Sequence, residues 1–253
     1  MLSRRRFATI FTLCALFLLS VSASYARDIL VYDAQENSNV KYEIAGYDGH
    51  YHPDIATLKE LFARIVESGD TVYVVENWGQ GASDGNDEVT ASWDLYVWDA
   101  RFVVTEPIEI SKDVEIYASC KGRKNSDGAI EIVNRSKEAD MSDDLTTFEG
   151  KGKSQIFVIT GGAKVTIANL RIHGAYSDSS SKGGAVEIRE GSNVTIRNCI
   201  IKETHSSTFE DGRSYGKGGG IYVDASTLNL QSSDIRNNNS SYRGGGIALE
   251  NGA

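Results

Sequence analysis

Cysteine is scarce in this sequence, with three residues in 253. Cys14 lies in an N-terminal segment that we expect to be cleaved off, which leaves Cys120 and Cys199. We predict that these two lie at least two strands apart in a stack, and neighbouring strands are about 4.8 Å apart. Because that separation exceeds the reach of a disulfide bond, we expect strand stacking rather than cross-links to stabilise the fold.

Basic residues are in deficit, with 26 lysines and arginines against 35 aspartates and glutamates and a formal net charge of −9. Residues 1–26 contain three arginines and no acidic residue, so their removal takes the net charge from −9 to −12 (−9 minus 3). Proteins that bind phosphate groups need lysine and arginine in excess. We therefore exclude nucleic acids and anionic membrane surfaces as partners.

Only the N-terminus carries a long apolar run. Arg4–Arg6 form a basic start, 15 residues from Phe7 to Val21 form an apolar core, and Ser24-Tyr25-Ala26 resembles a cleavage site. This is the pattern of a signal peptide, and the run is shorter than the ~18 residues of a membrane-spanning helix. We predict export by the general or the twin-arginine route, cleavage of residues 1–26, and no transmembrane helix in the mature chain. The expected location is extracellular or at the cell surface, on the outer membrane, with the periplasm as an alternative.

One short phrase occurs three times. Its copies span residues 182–188 (KGGAVEI), 217–223 (KGGGIYV) and 243–249 (RGGGIAL). Their starts lie 35 and 26 residues apart (217 minus 182 and 243 minus 217), and a recurrence in this range indicates stacked repeats. The glycines allow positive φ and close approach to neighbouring copies, and the alternating apolar residues predict a short strand.

A second phrase accompanies the first, at residues 165–172 (VTIANLRI), 194–201 (VTIRNCII) and 228–235 (LNLQSSDI). Stacking these copies in parallel predicts three continuous inward columns. The columns are Val165, Val194 and Leu228; Ile167, Ile196 and Leu230; and Ile172, Ile201 and Ile235. Asn169, Asn198 and Ser232 fall at the turn between strands, where they can bond a backbone group or the same residue of the next copy.

The N-terminal part lacks the repeat. Residues 27–53 contain a possible strand at Ile29–Tyr32 and have no role that we can assign. Thr57 and Glu60 form a capping box, and an amphipathic helix near residues 57–68 follows and ends at Gly69. We predict that this helix caps a repeat domain over residues 54–253, because the end of a stack must be covered. We further predict a strand at residues 94–98, a charged polar insertion at residues 134–153, and additional sequence beyond Ala253, where the last repeat stops early.

The helix, the strand after Gly69 and the alternating stretch Ile108–Ile116 resemble right-handed parallel β-helix proteins of the pectin-lyase-like superfamily. This resemblance implies an all-β fold, a right-handed parallel β-helix with the capping helix at its N-terminal end. The Gly-Gly phrase is similar to that of bacterial polymorphic outer membrane proteins, whose other repeat word is Phe-x-x-Asn. Ile235-Arg236-Asn237-Asn238 stands in the place of that word. The narrower resemblance implies an autotransporter-like passenger, an adhesin displayed at the surface and followed by a C-terminal β-barrel beyond residue 253.

No catalytic, cofactor-binding or metal-binding residue is predicted. Calcium-binding β-rolls need Gly-Gly-x-Gly-x-Asp, and apolar residues such as Val186 and Ile188 occupy those two places. Polysaccharide hydrolysis needs neighbouring carboxylates, and we expect no outward column to stack two acids. The predicted outward columns are Glu187, Tyr222 and Ala248; Thr166, Thr195 and Asn229; and Ala168, Arg197 and Gln231.

The longest departure from the repeat is the loop Thr204–Gly216. It contains six candidate interaction residues: His205, Phe209, Glu210, Asp211, Arg213 and Tyr215. Loops on a rigid scaffold often carry binding function, so we predict contact with a host or matrix protein or a polysaccharide. Three alternatives stay open: a polar loop that only absorbs a length difference, a lyase or hydrolase whose catalytic rungs lie beyond Ala253, and a scaffold without a specific ligand.

Overall fold

The computed structural model describes residues 27–33, 40–44, 57–75, 101–124, 130–134, 145–177, 182–207, 209–210 and 213–253. The predicted strand at residues 94–98 lies outside these ranges. The elements in chain order are β1 (Asp28–Asp33), β2 (Val40–Ile44), α1 (Leu58–Arg64), β3 (Asp70–Val75), β4 (Arg101–Val103), β5 (Ile108–Ile110), β6 (Val114–Lys124), β7 (Ile130–Asn134), β8 (Thr147–Glu149), β9 (Phe157–Ile159), β10 (Lys164–Ala168), β11 (Arg171–His173), β12 (Tyr176–Ser177), β13 (Val186–Ile188), β14 (Asn193–Arg197), β15 (Ile200–Lys202), β16 (His205–Ser206), β17 (Phe209–Glu210), β18 (Arg213–Ser214), β19 (Ile221–Asp224), β20 (Thr227–Gln231), β21 (Asp234–Arg236), β22 (Asn239–Ser240) and β23 (Ile247–Glu250).

The parallel strands stack into four sheets, and β17 and β18 form a separate two-stranded sheet. Sheet 1 has the order β2-β1-β3-β6-β10-β14-β20, with β7 also on β6. Sheet 2 is β4-β8-β11-β15-β21, sheet 3 is β12-β16-β22, and sheet 4 is β5-β9-β13-β19-β23. Pairing is parallel except between β1 and β2, β6 and β7, and β17 and β18. Because the chain visits sheets 1, 2, 3 and 4 in turn and then returns to sheet 1, it forms a parallel β-helix.

The registers confirm the three predicted columns. Val165 pairs with Val194 and Val194 with Leu228, while Ile167, Ile196 and Leu230 align two residues further along. Ile172, Ile201 and Ile235 align in sheet 2. Sheet 4 adds a fourth column, which runs through Ile108, Phe157, Val186, Ile221 and Ile247. Apart from Leu230, which is 37% exposed, these side chains meet in one core along the axis of the stack.

In three rungs, the turn between sheets 1 and 2 contains a residue with a left-handed backbone conformation. Asn169, Asn198 and Ser232 have φ of 60°, 51° and 46°, and asparagine tolerates this conformation better than most residues. The Asn198 amide nitrogen donates to Asn169 Oδ1 over 2.8 Å, and both side chains are buried. The predicted contact between turn residues of neighbouring copies is therefore confirmed.

The prediction of a polar insertion over residues 134–153 is wrong at its C-terminal end. Thr147–Glu149 form strand β8, which pairs with β4 on one side and β11 on the other. Phe148 is 1% exposed and stands in the column of Ile172. Its ring packs between Phe102 and Phe157, with ring centroids 5.5 and 5.9 Å away. This stretch therefore supplies part of the core.

The capping helix is present but shorter than predicted. Thr57 Oγ1 accepts a hydrogen bond from the Glu60 N–H, and α1 ends at Arg64. Its buried face, Leu58, Leu61 and Phe62, joins the main core. The helix cannot continue to residue 68, because the N–H groups there donate elsewhere: Glu67 donates to Asp70 Oδ2 over 2.8 Å and Gly69 to the Asp113 carbonyl over 2.7 Å.

The segment at residues 27–53 contributes two strands to the N-terminal end of sheet 1. The predicted strand at Ile29–Tyr32 is confirmed as β1, which pairs in parallel with β3, and β2 then pairs with β1. Ile29 and Val31 reach the main core.

The two described cysteines, Cys120 and Cys199, are both buried and are not joined by a disulfide bond, as expected from their separation. Burial also raises the pKa of the Cys199 thiol to about 12.

Candidate functional site

The predicted interaction loop is a β-hairpin that leaves the stack. After β16, strands β17 and β18 pair antiparallel, with Phe209 opposite Ser214 and Glu210 opposite Arg213. The next rung goes from β22 to its Gly-Gly phrase through only two residues, Ser241 and Tyr242. The hairpin therefore projects from an otherwise regular stack. We call residues 204–217 and residues 241–243 together the hairpin corner.

The structure places the six candidate residues at different positions within this corner. His205 lies in β16, and Tyr215 lies in the second leg of the hairpin, just before Gly216. Phe209, Glu210 and Arg213 lie in the hairpin strands. Asp211 lies outside the described residues, as do the side chains of these three strand residues.

At the base of each leg of the hairpin, two aromatic rings from neighbouring rungs pack together. On the first leg, His205 stacks on Tyr176, with ring centroids 5.6 Å apart and planes 15° apart. On the second leg, Tyr215 packs against Tyr242, with centroids 6.3 Å apart and planes tilted by 54°. Tyr215 and Tyr242 are 38% and 50% exposed. The Arg243 guanidinium carbon lies 4.7 Å from the centre of the Tyr242 ring.

Two members of this corner, Tyr242 and Arg243, were not predicted as interaction residues, and neither was Tyr176, which stacks on His205. Tyr242 and Arg243 lie in the neighbouring rung and reach the hairpin only because parallel stacking aligns Lys217 with Arg243. The sequence contained a signal for Tyr242, because the second and third Gly-Gly phrases each have a tyrosine within two residues before the cation.

The cations of the first two Gly-Gly phrases, Lys182 and Lys217, bind side chains one rung further along. Lys182 Nζ lies 3.2 Å from Tyr222 Oη and 4.9 Å from the centre of its ring. Lys217 Nζ donates to Glu250 Oε1, and Tyr222 Oη donates to Glu250 Oε2 over 2.8 Å. We name Lys182, Tyr222, Lys217 and Glu250 the sheet 4 ladder. These bonds give a structural role to the cations before the first two glycine pairs, which the repeat pattern alone did not.

The predicted outward positions Glu187 and Tyr222 are not exposed to solvent. They face away from the core, yet they are only 8% and 1% exposed, because Lys182 covers Tyr222 and Gln155 approaches Glu187. Burial raises the pKa of Glu187, and burial together with the neighbouring Glu250 raises that of Tyr222. The hydrogen bond from Lys217 lowers the pKa of Glu250. The outward face of sheet 4 is therefore a packed polar layer.

The three predicted outward columns stack no two acids, but one acid pair lies just past the end of the aligned phrases. Asp224 and Glu250 are direct neighbours in the register of β19 and β23. Asp224 Oδ1 accepts a hydrogen bond from the Asn251 amide nitrogen, and Glu250 is held by Lys217 and Tyr222. Both carboxylates are thus already bound by groups of this chain.

Other kinds of site were sought among the described residues. Within those ranges, no group of three or more His, Cys, Asp or Glu side chains is arranged to hold a metal ion. Among the same residues, no helix has the length and apolar character to cross a membrane.

Comparison with protein families gives one match. The family described as "Right handed beta helix region" matches residues 111–253, a span that begins before β6 and includes the hairpin corner and all three Gly-Gly phrases. Comparison with curated proteins and with solved structures found no match.

Proposed function

Because the chain belongs to the family of right-handed β-helix proteins, we propose that it is a binding protein that presents the hairpin corner to a ligand outside the cell. The observation that supports this proposal most is the exposed pair Tyr215 and Tyr242 beside Arg243, at the base of a projecting hairpin. Tyrosine and arginine are enriched among the residues that dominate binding interfaces.

The rigidity of the corner favours binding. The Ser207 N–H donates to the Ser177 carbonyl over 3.0 Å, which ties the first leg to the preceding rung. The Gly216 N–H donates to Ser241 Oγ over 3.1 Å, which ties the second leg to the following rung. A surface that is already held in place loses less conformational entropy when a ligand binds.

The location and the ligand class follow from the sequence. The signal peptide pattern supports export, and the resemblance to the pectin-lyase-like superfamily and to autotransporter passengers supports display at the cell surface. We propose adhesion or interaction rather than catalysis, with a host or matrix protein or a polysaccharide as the partner. The acidic composition favours neither nucleic acid nor an anionic membrane surface.

A binding screen with point variants tests this proposal. The chain is applied to arrays of matrix proteins and polysaccharides, and the dissociation constant is measured on every surface that retains it. We expect the double variant Tyr215→Ser, Tyr242→Ser to bind at least about tenfold more weakly, because each exposed ring contributes on the order of 1 kcal/mol or more. Arg243→Gln is expected to weaken binding as well.

Arg236→Gln is the matched control for Arg243→Gln. Arg236 lies in sheet 2 of the same rung, its side chain is 47% exposed, and it pairs with Asp234 over 3.2 Å. The Arg236→Gln substitution removes one positive charge, as Arg243→Gln does, but at a place away from the hairpin corner. The affinity of this variant should therefore stay within about twofold of that of the unaltered chain. Retention on none of the surfaces, or equal weakening by both arginine substitutions, would count against the proposal.

Polysaccharide cleavage is the second candidate, and the paired register of Asp224 with Glu250 favours it. Two carboxylates on neighbouring strands are the arrangement that glycoside hydrolysis uses. We rank it second because both carboxylates already accept hydrogen bonds from this chain. Release of reducing ends or unsaturated sugars from a polysaccharide, lost in Asp224→Asn, would establish catalysis in place of simple binding.

A further inference from the structure

Arg27 is the residue after the predicted cleavage site, and its backbone nitrogen contacts a buried carboxylate. It donates to Oδ1 of Asp70 over 3.1 Å, and Ser24-Tyr25-Ala26 directly precedes it in the sequence. The Asp70 side chain is 1% exposed and stands at the start of β3, beside the start of β1. The atom that would become the N-terminus of the processed chain therefore already contacts a buried carboxylate.

Three further bonds hold the Asp70 carboxylate in place. The Arg27 side chain donates to Oδ2 from Nη2 over 2.6 Å and to Oδ1 from Nε over 3.2 Å. The Glu67 N–H donates to Oδ2 over 2.8 Å. Burial by itself would raise the pKa of Asp70, but the hydrogen bonds from Arg27 and Glu67 outweigh it and lower the pKa. Asp70 is thus fixed as an anion at the entrance of the stack.

We propose that removal of the signal peptide at the Ala26–Arg27 bond creates a charged N-terminus that Asp70 binds, so that processing stabilises the end of the β-helix. A signal peptidase would add water across this amide bond, which leaves a carboxylate on Ala26 and an ammonium group on Arg27. The peptide N–H donor at Asp70 is then replaced by an ammonium donor, and hydrogen bonds between charged groups are the stronger kind.

The surrounding charges suit an additional cation. Before cleavage, the Arg27 guanidinium is the cation closest to two acids, Asp70 at 2.6 Å and Glu67 at 3.8 Å. The ammonium group would bring the count to two cations and two anions. Other charged side chains on these elements include Asp28 on β1 and Lys59, Glu60 and Arg64 on α1. Lys112 also lies against this end of the stack, where its Nζ donates to the Val66 carbonyl over 2.9 Å.

The same contact ties the helix to the sheet. Arg27 Nη2 donates to the Ile65 carbonyl over 2.7 Å, and the Arg27 carbonyl accepts from the Thr71 N–H over 2.9 Å. The position of Arg27 therefore affects the end of α1 and the first pairing of β1 with β3. The proposal concerns processing and stability, and it stands or falls independently of the ligand-binding proposal.

Two chains that differ by one residue test the inference. One begins at Arg27 and the other at Ala26, each released from an N-terminal fusion by a protease that leaves no extra residue. We expect the unfolding equilibrium constant of the Arg27 chain, measured in urea at pH 7, to be about tenfold smaller, since one charge-assisted hydrogen bond has this effect. Mass spectrometry of the exported protein should also find Arg27 as its first residue.

The pH dependence identifies the group responsible. An α-amino group has a pKa near 7.7–8.0 in an unfolded chain, and a carboxylate partner raises it in the fold. The added stability is therefore complete below about pH 7.7 and should disappear as the pH rises through the higher pKa of the folded state. Asp70→Asn should remove the difference between the two chains, whereas Glu67→Gln, which alters a side chain that is 60% exposed, should preserve it.

Three results would overturn the inference. One is equal urea stability of the two chains at pH 7, and another is a stability difference that does not change between pH 7 and pH 10. The third is an exported protein that begins at a residue other than Arg27. If Asp70→Asn does not fold, the pH comparison of the two unaltered chains still decides the question.

Discussion

Replacing Gly184 with alanine is expected to destabilise the fold by more than about 3 kcal/mol, because backbone would have to move to make room for one methyl group. A Cβ at residue 184 would lie 2.0 Å from the Gly219 carbonyl oxygen and 2.8 Å from the backbone nitrogen of His205. Both atoms belong to the next rung, the first to its Gly-Gly phrase and the second to its strand in sheet 3. Neither can rotate away, since both are backbone atoms.

The third phrase supplies the matched control. Gly245 holds the same place as Gly184, and the nearest atom to a Cβ there is the Asn238 carbonyl oxygen at 3.1 Å. Neither residue has positive φ, so backbone strain is not expected to distinguish the two substitutions. They differ in the room that is available for the added methyl group. We expect Gly245→Ala to cost less than about 1 kcal/mol in the free energy of unfolding, measured by circular dichroism in urea. Equal stability of the two variants would contradict the close approach of sheets 3 and 4.

Phe148→Ala is expected to cost about 3–5 kcal/mol, the range found when a buried phenylalanine is truncated. The ring fills the space between Phe102 and Phe157 and is 1% exposed. The same urea titration measures the loss. Phe148→Leu, which keeps most of the apolar volume, should cost less than about 1.5 kcal/mol. A loss below about 1 kcal/mol for the alanine variant would instead support the interpretation of this stretch as a solvated insertion.

The stack could be predicted from the sequence because each rung repeats its own pattern. Val165, Val194 and Leu228 occupy the same place in three copies, and the parallel register follows once those copies are aligned. Phe148 could not be found in this way, since its strand is three residues long and lies after a charged run that matches no other copy.

The surface was harder to predict than the core. Alternation shows which way Tyr222 points, but it cannot show that Lys182 covers it from the preceding rung. The acid pair Asp224 and Glu250 lies just past the end of the aligned phrases, so comparison of their outward columns missed it. The hairpin was located correctly, whereas its partner Tyr242 became visible only when the rungs were stacked.

The most direct test of the central claim removes the hairpin and keeps the stack. Deleting residues 208–215 joins Ser207 to Gly216, so that Ser206-Ser207-Gly216-Lys217 has the same length as Ser240-Ser241-Tyr242-Arg243 of the next rung. Because the shorter connection already occurs in this fold, we expect the circular dichroism spectrum to be unchanged. The measurement is the dissociation constant of this variant on the surface that retains the unaltered chain. Binding through the hairpin corner predicts a loss of at least about a hundredfold, as expected when several interface residues are removed together, and a folded variant that binds as tightly as the unaltered chain would contradict it.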